Sequence, residues 1–296
     1  MASAHSRGVA AAALAAAVFA VSWGSILVRL CEAPSLAIAF WRLALSTVVL
    51  VPVVLGPGRP GRTALGPATL AGLFLAVHFA TWISSLAFTT VASSVVLVST
   101  TPVFTALLAP WFLGERPGPR AWTAVVLALA GSLAIAGGDL AVGGTAWVGD
   151  LLALVGAFAV ALYFMIGRRV RETASFGGYL ATVYAAAAVF LGGFAWVAGT
   201  ALTGFPSATW GWLALLALVP NLLGHGLLNW SVRRLRALTV NLAVLGEPVL
   251  ATAYAAGLFG EVPGATFYLG GALILAGVAL AAFDERASFA VAEPGP

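Results

Sequence analysis

Along the chain, apolar residues fall in runs of about twenty, and polar residues gather in short clumps between them. The runs occupy approximately residues 8–28, 35–55, 68–88, 92–113, 120–137, 147–167, 177–199, 209–232, 238–260 and 265–283. About twenty apolar residues in a helix cross the hydrocarbon layer of a bilayer, so the pattern predicts ten transmembrane helices. The clumps carry turn chemistry or charge, as in Gly56-Pro57-Gly58-Arg59-Pro60, Gly114-Glu115-Arg116-Pro117-Gly118-Pro119 and Arg168-Arg169-Val170-Arg171. Thr89-Thr90-Val91 is a much shorter break. A membrane barrel would alternate in polarity over segments of about ten residues, and these runs are apolar throughout. The first run is Ala-rich and follows His5 and Arg7, as a signal peptide would. Its unbroken length and the nine similar runs after it favour a retained first helix.

Composition supports the same class. Of 296 residues 61% are hydrophobic and 8% charged, and the mean hydropathy is +1.04. Soluble domains need roughly 25% charged residues to face water, so lipid must cover this chain. The single cysteine, Cys31, excludes an internal disulfide framework and a cysteine-based metal site. The net charge of +4 reports topology in a membrane protein, and no nucleic-acid partner is expected.

The arginines orient the chain. With the N-terminus in the cytoplasm, the inside loops hold Arg59 and Arg62, Arg116 and Arg120, Arg168, Arg169 and Arg171, and Arg233, Arg234 and Arg236. Arg7 and Arg286 lie on the inside tails, Arg29 is the one outside candidate, and Asp139, Asp150 and Glu261 fall at outside ends. This is the positive-inside asymmetry expected with an even number of spans, both termini cytoplasmic, in the cell's inner (plasma) membrane.

The sequence also repeats. Pro102-Val103-Phe104 and Pro248-Val249-Leu250 are 146 residues apart, and so are Gly114-Glu115-Arg116-Pro117 and Gly260-Glu261-Val262-Pro263, and Gly131 and Gly277. His78 and His225 fall one residue from that register. The chain therefore reads as a first five-helix repeat over residues 1–140, a second over 141–284 and a cytoplasmic tail over 285–296. Five is odd, so the repeats must be inverted relative to each other. Inverted repeats build many alternating-access carriers around one midplane site. Duplication alone would also build a channel or an inert scaffold.

Ten helices in a five-plus-five duplication, with Ser93…Thr101-Pro102…Leu113-Gly114-Glu115-Arg116 and its mate Leu245-Gly246-Glu247-Pro248…Phe259-Gly260-Glu261, resemble the drug/metabolite transporter superfamily, EamA type. The resemblance spares only the first few residues and the tail after Asp284. His78…Trp82…Leu86 with His225…Asn229 is similar to the branch exporting aromatic amino acids. The chain departs from the family pattern in having no tryptophan near Tyr163 to match Trp23. The resemblance implies a secondary transporter that exports small metabolites, aromatic or neutral amino acids foremost. A multidrug carrier or another metabolite carrier of the same fold is the alternative.

Polar residues inside lipid are costly and mark a transport path by default. His78, Trp82 and Ser85 share one face of the third helix, and Asn221, His225 and Asn229 one face of the eighth. Ser94, Val98, Thr101 and Thr105 form a stripe on the fourth, and the ninth adds Asn241 and Glu247. These faces are expected to converge on a substrate cavity, with Trp82 and Trp41 as stacking surfaces. For the Ser and Thr residues, bonds back to their own helix are the simpler expectation. Arg42 and Glu247 are the two charges well inside the runs, and they could pair with each other. Arg42 could otherwise attract a substrate carboxylate or extend towards the interface, with Glu247 protonated. Pro102 and Pro248 are candidate gate hinges, or ordinary kinks. Trp111, Trp122, Trp147, Trp196, Trp210 and Trp212 near run ends suit an interfacial belt.

An enzyme is not expected. The sequence has no acidic metal cluster, phosphate loop or Ser-His-Asp set, and no metal or cofactor is implied. A bis-histidine haem protein using His78 and His225, or a channel, are the rivals from other classes. The partners implied are a small-molecule substrate and membrane lipid, for a monomer or a weak homodimer.

Overall fold

A computed structural model describes residues 2–55, 61–113, 118–142, 144–170, 175–232, 243–244 and 246–291. The helices are α1 (Ala2–Leu30), α2 (Ser35–Leu55), α3 (Arg62–Ser85), α4 (Val91–Val98), α5 (Thr101–Leu113) and α6 (Pro119–Val142). They continue with α7 (Ala146–Val170), α8 (Phe176–Val197), α9 (Ser207–Leu216), a π-helical stretch (Ala217–Gly224), α10 (His225–Val232), α11 (Gly246–Phe259) and α12 (Ala265–Val291). The described residues contain no strand. Six stretches, within α1, α2, α3, α7, α8 and from α9 into α10, are long and apolar enough to cross a membrane, and shorter apolar helices accompany them. The all-helical membrane class expected from the sequence is thus the class observed.

Local chemistry sets the helix ends. The Thr90 hydroxyl accepts from Ser93 N at 3.0 Å and starts α4, and Ser175 does the same for Gly178 N at the start of α8. Each satisfies one of the backbone donors that a helix start leaves without an intrahelical partner. Gly260, with φ +69, closes α11 in the left-handed conformation that glycine adopts at no steric cost.

Three expectations need correction. The fourth run is not one helix, because turn residues Ser99 and Thr100 separate α4 from α5. Pro102 and Pro248 do not lie mid-helix; they are the second residue of α5 and the third of α11. Proline lacks an N–H, and the first turn is where that N–H has no intrahelical acceptor, so a helix start accommodates it. The eighth run, expected as a plain helix, winds as a π-helix around Pro220.

Glycines let backbones meet along the main helix pairs. A Cβ placed on Gly131 of α6 would lie 2.5 Å from Gly270 O of α12, and one on Gly270 2.6 Å from Gly131 O. Gly277 faces Ala124 O at 2.7 Å, so the numbering falls on one helix as it rises on the other and the two run antiparallel. In α7, Gly149 meets Ser85 O and Gly156 meets His78 O, which sets α7 antiparallel along α3. Gly224 meets Val21, and Gly24 meets Pro220, which seats α1 against the eighth run. Helix α2 packs along α8. The interior is filled by Ile26, Leu43, Ile83, Leu86, Leu191, Leu213 and Leu216. The outside is apolar, with Leu133, Val189 and Val197 exposed, as a lipid-facing surface requires. Trp111, Trp122, Trp147 and Trp196, near helix ends, are exposed as a belt would be, whereas Trp210 and Trp212 are half-buried.

The ends of the bundle can be told apart from printed contacts. Arg29 meets Thr89 and Glu261, Thr89 meets Asp150, and Glu32 N donates to Thr209, so these residues share one end. Gly167 lies against Tyr179, Gly177 against Val53, and Arg169 against Phe112 O, at the other end. The arginine clusters expected to orient the chain are for the most part outside the described residues, namely Arg59, Arg116, Arg171, Arg233, Arg234 and Arg236.

Candidate functional site

A cavity of about 90 Å³ opens between α3, α7, α8 and the eighth run. Leu75, His78 and Phe79 come from α3, and Val160, Tyr163, Phe164 and Gly167 from α7. Tyr179, Leu180 and Tyr184 come from α8, with Asn221 and His225 from the π-helical stretch and α10. A void of that size with polar walls has room for several waters. The lining combines two imidazoles and an amide with phenols and aromatic rings. This amphipathic lining suits a small molecule with an apolar body and polar substituents.

His78 is fixed by a 2.9 Å contact of Nδ1 with Gly156 O, and that carbonyl calls for a proton on Nδ1. Its ring stacks on Trp82, 6.0 Å away with the planes 4° apart. Glycine at position 156 lets α7 approach closely enough for this bond, because a Cβ there would lie 3.3 Å from Trp82 Cβ.

Behind the cavity wall lies Arg42, 2% exposed. Its Nε donates to Asn221 Oδ1 at 3.2 Å. Asn221 Nδ2 donates to Ser46 Oγ at 2.9 Å, and Ser46 Oγ donates to Arg42 O at 2.8 Å, closing a ring of three residues. The guanidinium carbon lies 4.2 Å from the centre of the Phe79 ring and 5.6 Å from that of Trp82. Desolvated cation–π contacts of this kind are worth up to about 2 kcal/mol, whereas burying a charge costs several. Neither Arg42 Nη1 nor Trp82 Nε1 has a hydrogen-bond partner among the described residues. The charge of Arg42 acts on Glu247, His78, His225 and Tyr184, yet no ion pair joins it to Glu247. The one ion pair among the described residues is Arg29–Glu261.

The structure thus gathers His78, Asn221 and His225 around one cavity, with Trp82 and Arg42 just behind it. Trp41 is elsewhere, its indole N–H donating to Leu202 O at 2.6 Å and its ring packed edge-on against Trp210. The side chains of Asn229 and Pro102 lie outside what is described, as does Asn241 altogether. Most hydroxyls in the spans bond back to their own helix, as Thr105 does to Thr101 O and Ser132 to Ala128 O, whereas Thr101 donates across the Ser99–Thr100 break to Val98 O of α4. Ser85 and Ser94 also bond each other across α3 and α4 at 2.6 Å. Sequence reasoning did not identify Phe79, Tyr163, Tyr179 or Tyr184. The available signal was phenols in the middle of otherwise apolar runs, which need a polar partner when buried. No group of three or more His, Cys, Asp or Glu that could hold a metal occurs among the described residues.

A multi-pass helical membrane protein with an internal, polar-lined cavity is the class defined by these features. The sequence profile of the EamA-like transporter family matches residues 6–137 and again 147–283. The chain belongs to that family, within the drug/metabolite transporter superfamily, whose members are transporters and not enzymes. It is 28% identical over 258 residues to an uncharacterized transporter of Archaeoglobus fulgidus, covering 87% of this chain and 90% of that one. A crystal structure 19% identical in sequence superposes with a TM-score of 0.64 over 95% of this chain and 99% of the other, which is a likeness of fold.

Proposed function

We propose that the protein exports small amphoteric metabolites, aromatic and neutral amino acids foremost, across the cytoplasmic membrane by alternating access. Ten spans form two inverted five-helix repeats, and both termini are cytoplasmic. The reading draws support from the family profile matching each half in turn. The 146-residue shift supports it too. That shift carries Ala124 onto Gly270 and Gly131 onto Gly277, which exchanges the Gly131–Gly270 contact with the Gly277–Ala124 contact. An exchange of this kind is what a pseudo-two-fold axis between α6 and α12 produces.

The observation that carries the substrate class is Arg42, buried in the bundle with Nη1 unpartnered and two aromatic rings against its face. A substrate carboxylate supplies the missing counter-charge through charge-assisted hydrogen bonds. His78, Asn221, His225 and Asn229 receive the remaining polar groups of the head. Phe79, Trp82 and the cavity tyrosines flank an aromatic side chain, and Pro102 and Pro248 start the helices that move. Glu247 and Arg42 feel each other's charge without forming an ion pair.

Liposomes containing the purified protein should take up phenylalanine, tyrosine or tryptophan faster than empty ones. Substitution of His78, Trp82, Arg42, His225 or Asn229 should slow that uptake while leaving expression intact. Uptake unchanged in all five variants would remove the proposed cavity.

A further inference from the structure

We infer that Arg29, Glu261, Thr89 and Asp150 form a latch that ties the two halves of the chain together at the outer end of the bundle, and that this latch must part for that end to open. The inference rests on the alternating-access reading above, and it concerns residues which that reading leaves unused.

Three bonds of the cluster cross between the halves. Arg29 Nη1 lies 3.1 Å from Glu261 Oε1, Val91 N donates to Glu261 Oε2 at 2.9 Å, and Thr89 Oγ1 donates to Asp150 Oδ1 at 3.0 Å. Arg29, Thr89 and Val91 belong to the first half; Asp150 and Glu261 belong to the second. Arg29 also donates from Nη2 to Thr89 O at 2.7 Å, which makes one guanidinium the bridge between the end of α1, the α3–α4 turn and the α11–α12 loop. Arg29 is the arginine that breaks the positive-inside pattern, and a specific partner explains its retention at the outer end.

The cavity lies on the other side of this cluster. Along α7, Asp150 comes first, and Val160, Tyr163, Phe164 and Gly167 follow towards the opposite end. Along α3, Leu75, His78 and Phe79 precede Ser85 and Thr89. At the latch the helices touch through backbone, with Gly149 against Ser85 O and Thr89 N, and between latch and cavity Gly156 lies against Trp82 and His78 O, beside the 2.6 Å Ser85–Ser94 bond. The outer end is therefore closed while the cavity lies towards the inner end.

Two properties suit a reversible closure. The Arg29 and Glu261 side chains are 30% and 17% exposed, so water can take over their bonds as they part, at far lower cost than for a buried pair. Glu261 also satisfies the first backbone donor of α4, so opening strips Val91 N of that partner. Release of the latch is thereby coupled to α4, which ends at the Ser99–Thr100 break before α5.

Cys31, the single cysteine, is buried two residues beyond Arg29 and serves as a native reporter. The full-length protein in right-side-out vesicles is treated from outside with a membrane-impermeant maleimide, and a Cys31→Ala protein sets the background. Loss of a hydrogen-bonded charge should make Arg29→Gln and Glu261→Gln label about tenfold faster than wild type. The charge swap Arg29→Glu with Glu261→Arg should return to within about twofold of wild type. Thr89→Val removes the hydroxyl that bonds Asp150, leaves the charges in place, and should label about threefold faster even where the charge variants fold poorly. Wild-type labelling rates in the single variants that elute as one monodisperse peak, or a swap as fast as the single variants, would overturn the latch. Labelling needs no substrate, which separates the two readings. Unaccelerated labelling beside working uptake sinks the latch alone, and accelerated labelling without any amino-acid uptake supports the latch while sinking the substrate assignment.

Discussion

Two arginines sit in helices on the first half of the chain, and their surroundings are opposite. Arg29, at the C-terminal end of α1, has a carboxylate at 3.1 Å and a carbonyl at 2.7 Å, and it remains partly open to water. Arg42, inside α2, is sealed from water and has an amide, two aromatic faces and one nitrogen with no partner. A charge that is fully paired at a rim holds elements together. A charge that is desolvated and left short of one partner is held ready for something that arrives from outside the chain.

The sharpest way to break that contrast is to remove the charge of Arg42. Arg42→Gln should lower amino-acid uptake by roughly a hundredfold, about 3 kcal/mol, from the loss of charge-assisted bonds to the carboxylate. Thermal stability should hardly fall, because the variant also removes a desolvated charge. Arg42→Lys should not restore uptake, since an ammonium has neither the planar face nor the Nε donor that Asn221 and Phe79 engage. Equal uptake by the Gln variant would make Arg42 structural like Arg29.

Next in size is Asn221→Ala, which strips Nε of its acceptor and frees Ser46. Uptake should fall about tenfold with a measurable loss of stability, because a buried donor is left unsatisfied. For Arg29 the expectation reverses. Arg29→Ala and Glu261→Ala should each cost about 1–2 kcal/mol in thermal unfolding, read as a midpoint lower by a few degrees, and their double variant should cost less than the sum. Additive losses would mean that the two residues do not act as a pair.

The smallest effect concerns Cys31, beside the latch. Burial pushes its thiol up to about 12 from an ordinary 9.0. The native state therefore holds the proton that the unfolded chain releases, so this contribution is complete below about pH 9 and is lost as pH rises towards 12. Stability should drop by about 0.8 kcal/mol between pH 8 and pH 9.5, and Cys31→Ala should flatten that slope. A slope that persists in the Ala variant would assign it to another group.

Much of this could be read from the sequence, and the remainder could not for definite reasons. Runs of about twenty apolar residues announce membrane helices because lipid leaves the backbone no other way to satisfy its polar groups. The expectation that Thr105 bonds back to its own helix also needs only local geometry. The break at Ser99–Thr100 and the π-winding at 217–224 escaped notice, because an apolar run is equally apolar however it winds. Tyr163, Tyr179 and Tyr184 were missed because a phenol inside a run reads equally as core, belt or site until its neighbours are known. Trp41 was expected at the cavity on depth alone, and its indole is held by Leu202 O, a contact 161 residues away in the chain. The pairing of Arg29 with Glu261 spans 232 residues and leaves no local trace.

The π-helical stretch has a consequence of its own. Winding Ala217–Gly224 with i→i+5 bonds uses roughly one residue more than an α-helix would over the same length. Asn221 lies inside that surplus, and Ala217 O accepts a bond from Ser46 at 3.3 Å. Delete a single residue there and the segment would tighten to ordinary pitch, turning Asn221 away from the guanidinium and putting His225 out of phase with the wall it lines. The polar side of the cavity thus depends on a counting irregularity, and a one-codon deletion in this stretch should abolish amino-acid uptake while leaving every named side chain in the protein.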